Sequence, residues 1–197
     1  MGRHREFDVD RTLEAALAVF WQKGYEGTSL EDLTRATGVA RPGLYAVFGN
    51  KEALFFKAIE RYDVEHMTYL REALAEPKVH AAVRRFFEGA IEVQTLGDVG
   101  RGCAVMNSTL ACSDEAEPVR QALIARQKLT EDAWRIKFER GVRDGELPPS
   151  TDCATLARYL MTVNQGLGVQ AKAGTSRTSL RAIVELVLST WPGATER

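Results

Sequence analysis

Apolar residues recur at three- and four-residue spacing along almost the whole chain, the period of helices packed on one face. Leu13, Ala16, Leu17 and Phe20 make the first such face, over Arg11 to Lys23, with Asp8 or Asp10 placed to cap it and Gly24 to stop it. Thr28-Ser29-Leu30-Glu31 then reads as a capping box: a hydroxyl and, three residues on, a carboxylate, each satisfying an orphan backbone N–H. It opens a short helix that turns Leu30 and Leu33 inward, and Gly38 supplies the positive φ that ends it. Arg41 to Phe48 follows, with Leu44 and Phe48 inward and Pro42 in the first turn, where a missing N–H is harmless. After Gly49 and Asn50, the pattern Leu54, Phe55, Ala58, Ile59, Tyr62 runs on from Lys51 to about Leu74. At 1.5 Å per residue this predicts one helix about 36 Å long.

Beyond Glu76-Pro77 the spacing predicts helices over Val79 to about Leu96, Cys103 to Cys112, Ala116 to Asp144, Cys153 to about Ala173 and Arg177 to Trp191. Gly97 to Gly102 is a loop between two of them, and Leu147-Pro148-Pro149 is a rigid connector. No stretch alternates with the period of a strand, and there is no repeat or low-complexity tract. The expected fold class is all-α, with about nine helices: residues 6–66 as a three-helix N-terminal domain and 67–197 as a larger helical body.

Composition adds boundaries. The chain has 197 residues, is 45% hydrophobic and carries a net charge of −1. It therefore has material for a substantial core and no global basic signal, so any nucleic-acid site has to be local. Cys103, Cys112 and Cys153 form no CxxC pair and are odd in number, against a disulfide framework or a zinc cluster. No apolar run reaches the roughly 18–20 residues of a membrane span. The expectation is a cytoplasmic protein with no membrane partner, no metal and no cofactor.

The charge is local. Between Arg35 and Lys51 there are three basic residues and no acidic one, although residues 1–51 carry seven of each sign. The two short helices joined at Gly38 have the size of a helix-turn-helix, over about residues 29–48. The second leaves Arg41, Pro42, Gly43, Tyr45 and Ala46 on its outward side, a bare face with few side chains to meet base edges. Thr28 and Ser29 stand at a helix start, where free N–H groups attract phosphate.

The series Gly27-Thr28-Ser29-Leu30, Leu33, Gly38-Val39, Leu44-Tyr45, Phe48, Lys51-Glu52 and Leu54 resembles the N-terminal signature of TetR/AcrR-family transcriptional regulators, over about the first 60 residues. The resemblance implies an all-α homodimer whose N-terminal domain reads an operator in double-stranded DNA and whose body binds an effector, usually to relieve repression. It implies phosphate contact from Thr28, Tyr45 and Lys51 and base contact from Arg41, Pro42, Gly43 and Ala46. Thr34 and Val47 depart from the pattern, where Ala and an aromatic or His are usual.

In the body, Leu180, Ile183, Val184, Val187, Leu188 and Trp191, with Leu156, Leu160, Val163 and Leu167 before them, form stripes that would pair with a second copy as a four-helix bundle; an internal core stripe has the same spacing. Two reading heads in a dimer call for a pseudo-palindromic operator. Phe86, Cys103, Met106, Asn107, Leu110, Trp134, Phe138, Met161 and Gln165 are candidate walls of a pocket for a small hydrophobic or aromatic effector, and equally candidate plain core. Cys103, after Arg101-Gly102 at a helix start, is either a redox or electrophile sensor or a small buried hydrophobe. Gly166-Leu167-Gly168-Val169-Gln170-Ala171 matches a dinucleotide-binding spacing but lies inside a helix with no strand before it, so that reading fails. No catalytic constellation appears in context, and an enzyme is not expected.

Overall fold

The computed structural model describes residues 8–97, 100–110 and 113–193. Among them are ten α-helices, one 3-10 turn and no strand. The helices are α1 Val9–Lys23, α2 Leu30–Thr37, α3 Arg41–Phe48, α4 Lys51–His66, α5 Thr68–Ala75, α6 Val79–Gln94, α7 Ala104–Thr109, α8 Glu117–Arg143, α9 Cys153–Lys172 and α10 Arg177–Ser189, with the 3-10 turn at Asp114–Ala116. None of them is long and apolar enough to cross a membrane.

The expected helix from Lys51 to Leu74 is two helices. α4 ends at His66, Met67 leaves helical geometry at φ −108°, ψ 16°, and α5 begins at Thr68. No proline or glycine forces the break; it lies where the chain passes from one compact unit to the other. The first unit, the head, takes the residues up to Glu65 together with Ala104–Gln121; the second, the body, takes His66–Cys103 and the residues from Ala122 onward. The segment containing α7 thus packs with the head, whereas the pattern along the chain put everything after residue 66 in the body.

The head is built on α1. Its N-cap is Asp8, whose side chain accepts from the amides of Asp10 and Arg11. Ala16, Leu17, Phe20 and Trp21 face inward against Leu33, Leu44, Phe48, Leu54, Phe55, Ala58, Ile59 and Tyr62, all buried. Two edge-on aromatic pairs lock α1 to α4: Phe20 with Phe55, centroids 5.1 Å apart, and Trp21 with Tyr62 at 4.8 Å. α7 closes on the end of α1, where Asn107 Nδ2 donates to the Trp21 carbonyl at 2.8 Å. Gly24 makes that approach possible, since a Cβ there would stand 2.4 Å from the Asn107 carbonyl oxygen.

The body core runs along α6, whose Val79, Ala82, Val83, Phe86, Phe87, Ala90, Ile91 and Gln94 are buried at helical spacing. An aromatic series crosses it: Tyr69 to Phe86, Phe86 to Trp134 at 5.1 Å, then Phe138, Trp191 and Tyr159. The α5–α6 turn is pinned from outside. Lys137 Nζ of α8 donates to the carbonyls of Leu74 and Glu76, capping the end of α5. Glu146 accepts from the Val79 amide at 2.7 Å, capping the start of α6 with negative charge.

Candidate nucleic-acid interface

α2 and α3 lie either side of Gly38, which takes the left-handed conformation at φ 69°, ψ 9°, and donates its amide to the Thr34 carbonyl at 3.0 Å. Nothing lies within 4 Å of where its Cβ would be. The conformation, not the space, demands glycine there.

The capping box of α2 is set one residue later than its sequence suggested. Ser29, not Thr28, is the N-cap, and its partner is Asp32, not Glu31. Asp32 Oδ2 accepts from the Ser29 amide at 3.1 Å while Ser29 Oγ accepts from the Asp32 amide at 3.1 Å. Lys23 Nζ bonds the same carboxylate at 2.6 Å. Lys23 first, and then the amide and hydroxyl of Ser29, hold the Asp32 carboxyl far below the usual carboxylate range. The start of α2 therefore already carries a stable negative charge, with Glu31 beside it, which offsets its pull on a phosphate. Thr28 is 1% exposed and its hydroxyl donates to the Gly24 carbonyl at 2.6 Å. Its side chain is closed off from any phosphate, contrary to the contact implied for it.

α3 is the opposite case. Its N-cap is Ala40, which has no side chain to cap with, and its first turn holds no acid. The positive end of its dipole is left unneutralised, and Arg41 adds to it. Leu44 and Phe48 are buried, which fixes the helix's rotation and leaves Arg41, Pro42, Ala46 and Val47 exposed with Gly43 and Tyr45 half-buried. The Arg41 guanidinium lies 5.2 Å from the centroid of the Tyr45 ring, one turn on. Val47, 45% exposed, presents no hydrogen-bonding group. Asn50 Oδ1 caps α4 by accepting from the Ala53 amide at 2.7 Å. That sets Lys51 at the first turn, its Nζ 4.4 Å from the centroid of the Tyr25 ring.

An acid-free, uncapped helix start with a bare outer face, held by a glycine turn on a three-helix core, suits a helix that enters a DNA groove. The model of bacterial regulatory proteins of the tetR family matches residues 13–58, and that of the tetracyclin repressor-like C-terminal domain matches residues 79–187. The chain belongs to the TetR family. It is a DNA-binding transcriptional regulator of all-α fold, from a family that is not enzymatic. This TetR chain is 34% identical over 194 residues to the HTH-type transcriptional repressor ComR of Escherichia coli K12, covering 97% of the chain and 92% of that protein. It is 40% identical to a cysteine mutant of the TetR-family regulator CifR, solved with a 26-bp double-strand operator DNA, at a TM-score of 0.89 and coverage of 97% and 100%. A TetR regulator from Rhodococcus sp. RHA1 is 38% identical, with a TM-score of 0.61 and coverage of 94% and 100%.

The residues expected at a dimer face and at an effector pocket take the following places in the structure. Of the residues expected to pair with a second copy, Leu156, Leu160, Leu167, Leu180, Val184, Val187, Leu188 and Trp191 are buried inside the protomer, and Val163 is partly buried against the same core. Their apolar faces are already covered by the body itself. Ile183 is 41% exposed, and the other large apolar side chains that α9 and α10 leave open are Tyr159, Val169 and Leu186. The pocket candidates are divided between the units: Met106, Asn107 and Leu110 belong to the head, the rest to the body. Asn107 is engaged with α1, and Leu110 is 70% exposed. Phe86, Trp134 and Phe138 are stacked in the body core with no more than 1% exposed, and Met161 packs against the same core. Gln165 Nε2 donates to Gln127 Oε1 at 3.3 Å. Cys103 is half-buried just before α7, and Gly102 ahead of it donates its amide to the Gln94 carbonyl at 3.0 Å. Cys112 lies outside the described residues.

Two features escaped the sequence. Gln94, 2% exposed, donates to Asn164 Oδ1 at 3.2 Å while its own Oε1 has no partner, and the Trp134 Nε1 is also buried without one. Only a polar residue on the inner face of α6 signalled the first.

Proposed function

We propose that the chain is a homodimeric repressor that binds a pseudo-palindromic operator through α3 and leaves it when a small effector binds the body. The observation that carries this reading is the exposed Arg41–Ala46 face at the unneutralised start of α3, in a chain 40% identical to a relative solved on operator DNA. Tyr45 and Lys51 are the phosphate contacts in this reading, since both Ser29 donors are engaged by Asp32, and Arg41 with Pro42, Gly43 and Ala46 meets the bases. Tyr159, Val169, Ile183 and Leu186 supply apolar surface for a second copy. An effector site inside the body is supported by the orphan Oε1 of Gln94 and Nε1 of Trp134, since a buried polar atom left without a partner costs about 1–3 kcal/mol that a ligand can recover. The effector shifts the population only if it prefers the form with low operator affinity. The test is operator binding by the wild type and R41A. Arg41→Ala should weaken specific binding by about 1–3 kcal/mol if Arg41 reads a base. Equal losses on the operator and on unrelated duplex would leave Arg41 as a phosphate clamp alone.

A second reading, sensing through Cys103, is favoured by one comparison: the operator-bound relative was solved as a cysteine mutant. Cys103 is half-buried just ahead of α7. Oxidant or a thiol-reactive electrophile should then release wild-type protein from DNA and leave C103S bound; release of both would end this reading.

A further inference from the structure

We propose that Tyr25 is a positioning residue for DNA binding, holding the Lys51 ammonium over its ring at the height where Lys51 meets the phosphate backbone. The inference rests on Lys51 being a phosphate contact. A lysine carries a compact charge on a flexible four-carbon stem, so an unrestrained Lys51 would lose that freedom on binding. The ammonium lies 4.4 Å from the ring centroid, within the reach of a cation–π attraction that would restrain it. Lys51 is partly desolvated at this position, which lowers its pKa, and Glu26 acts against that shift.

The ring is packed against two others. It stands edge-on to Phe55 at 5.0 Å and stacks on Phe20 at 6.4 Å with 17° between planes; both of those rings are buried. The backbone on either side is tied as well. Gly24 takes φ 74°, ψ 174°, the Thr28 hydroxyl donates to the Gly24 carbonyl at 2.6 Å, and the Thr28 amide donates to the Tyr25 carbonyl at 3.3 Å. The buried hydroxyl of Thr28, unable to reach a phosphate, instead closes the turn that carries Tyr25. A series of contacts thus runs from Thr28 through Tyr25 to Lys51.

The experiment is a double-mutant cycle on the full-length protein, with the duplex that wild type enriches from a random pool as the probe. K51M tests the underlying contact: log affinity against log salt should flatten by about 0.9 for each lysine removed. Y25L should weaken binding about two- to fivefold per head in the wild-type background and not further in K51M, while Y25F, which keeps the ring, stays near wild type. Should Y25L disturb the fold, 3,4,5-trifluorophenylalanine at position 25 keeps the ring's shape while weakening its negative face, and should give the same selective loss. An unchanged salt slope in K51M would remove the phosphate contact and the proposal with it. A flattened slope in K51M, with Tyr25 substitutions equally harmful in both backgrounds, would keep the contact and overturn the positioning role.

Discussion

Replacing Gly24 with alanine tests the joint between α1 and α7, and Gly38 provides the internal control. Both glycines have positive φ, at 74° and 69°. Gly24 also has ψ 174°, a region that only glycine occupies readily and that strains another residue by roughly 1–3 kcal/mol. Its new Cβ would stand 2.4 Å from the Asn107 carbonyl oxygen and 3.2 Å from the carbon, atoms of α7's backbone that cannot rotate away. Forcing α7 off should add about 1–3 kcal/mol. Gly38→Ala meets nothing within 4 Å, so only its left-handed conformation matters, at about 1–2 kcal/mol. G24A should therefore lose about 2–6 kcal/mol and G38A clearly less, read from urea midpoints. Native-state hydrogen exchange should place the G24A loss in α1 and α7, where the contact is broken. If G24A is no less stable than G38A, or exchange accelerates elsewhere instead, the α1–α7 contact does not constrain the head as argued.

Three further outcomes follow from particular contacts. The Asp32 carboxyl is held down by Lys23 and then by Ser29, so its contribution is complete above its ordinary value of 3.8 and lost as pH falls through the lower folded value. Helicity at α2 should decline on acidification below that value, and D32N, lacking the carboxylate at every pH, should show a flatter profile by circular dichroism. Lys137→Met should remove the cap on the α5 carbonyls at about 1.5–3 kcal/mol, with faster amide exchange at the end of α5 and none in the head. On α10, Leu188→Ala should lower stability by about 2–5 kcal/mol, since Leu188 is 2% exposed, and leave the oligomer's mass unchanged. Leu186→Glu, at a position 67% exposed, should do the reverse in light scattering; a dimer that survives L186E would move the interface off α10.

The exposed face of α3 was legible because the signals that shape it are local. Leu44 and Phe48 set its rotation, Gly38 ends its predecessor, and Pro42 tolerates only its first turn. The capping box shows the limit of that legibility. Thr28 with Glu31 and Ser29 with Asp32 both have the right spacing, and no local rule chooses between them. The choice falls to Ser29 because the Thr28 hydroxyl is buried on the Gly24 carbonyl and Lys23 reaches Asp32. The break at Met67 was equally hidden, since no residue there disfavours helix by itself.

Residue order alone determined the all-α class, the helix-turn-helix and its exposed face, and most helix ends, because periodicity, caps and glycine turns act within a few residues of one another. Tertiary structure decided what each apolar stripe is covered by. The α10 stripe reads the same whether its partner is a second copy or the protomer's own core, and only packing buried Leu180, Val184 and Leu188 internally. Packing likewise gave the α7 segment to the head across more than 80 residues of chain, through Asn107 and Trp21. It also set Lys51 over Tyr25, two residues that local spacing leaves unrelated and that the aromatic core of α1 and α4 brings together.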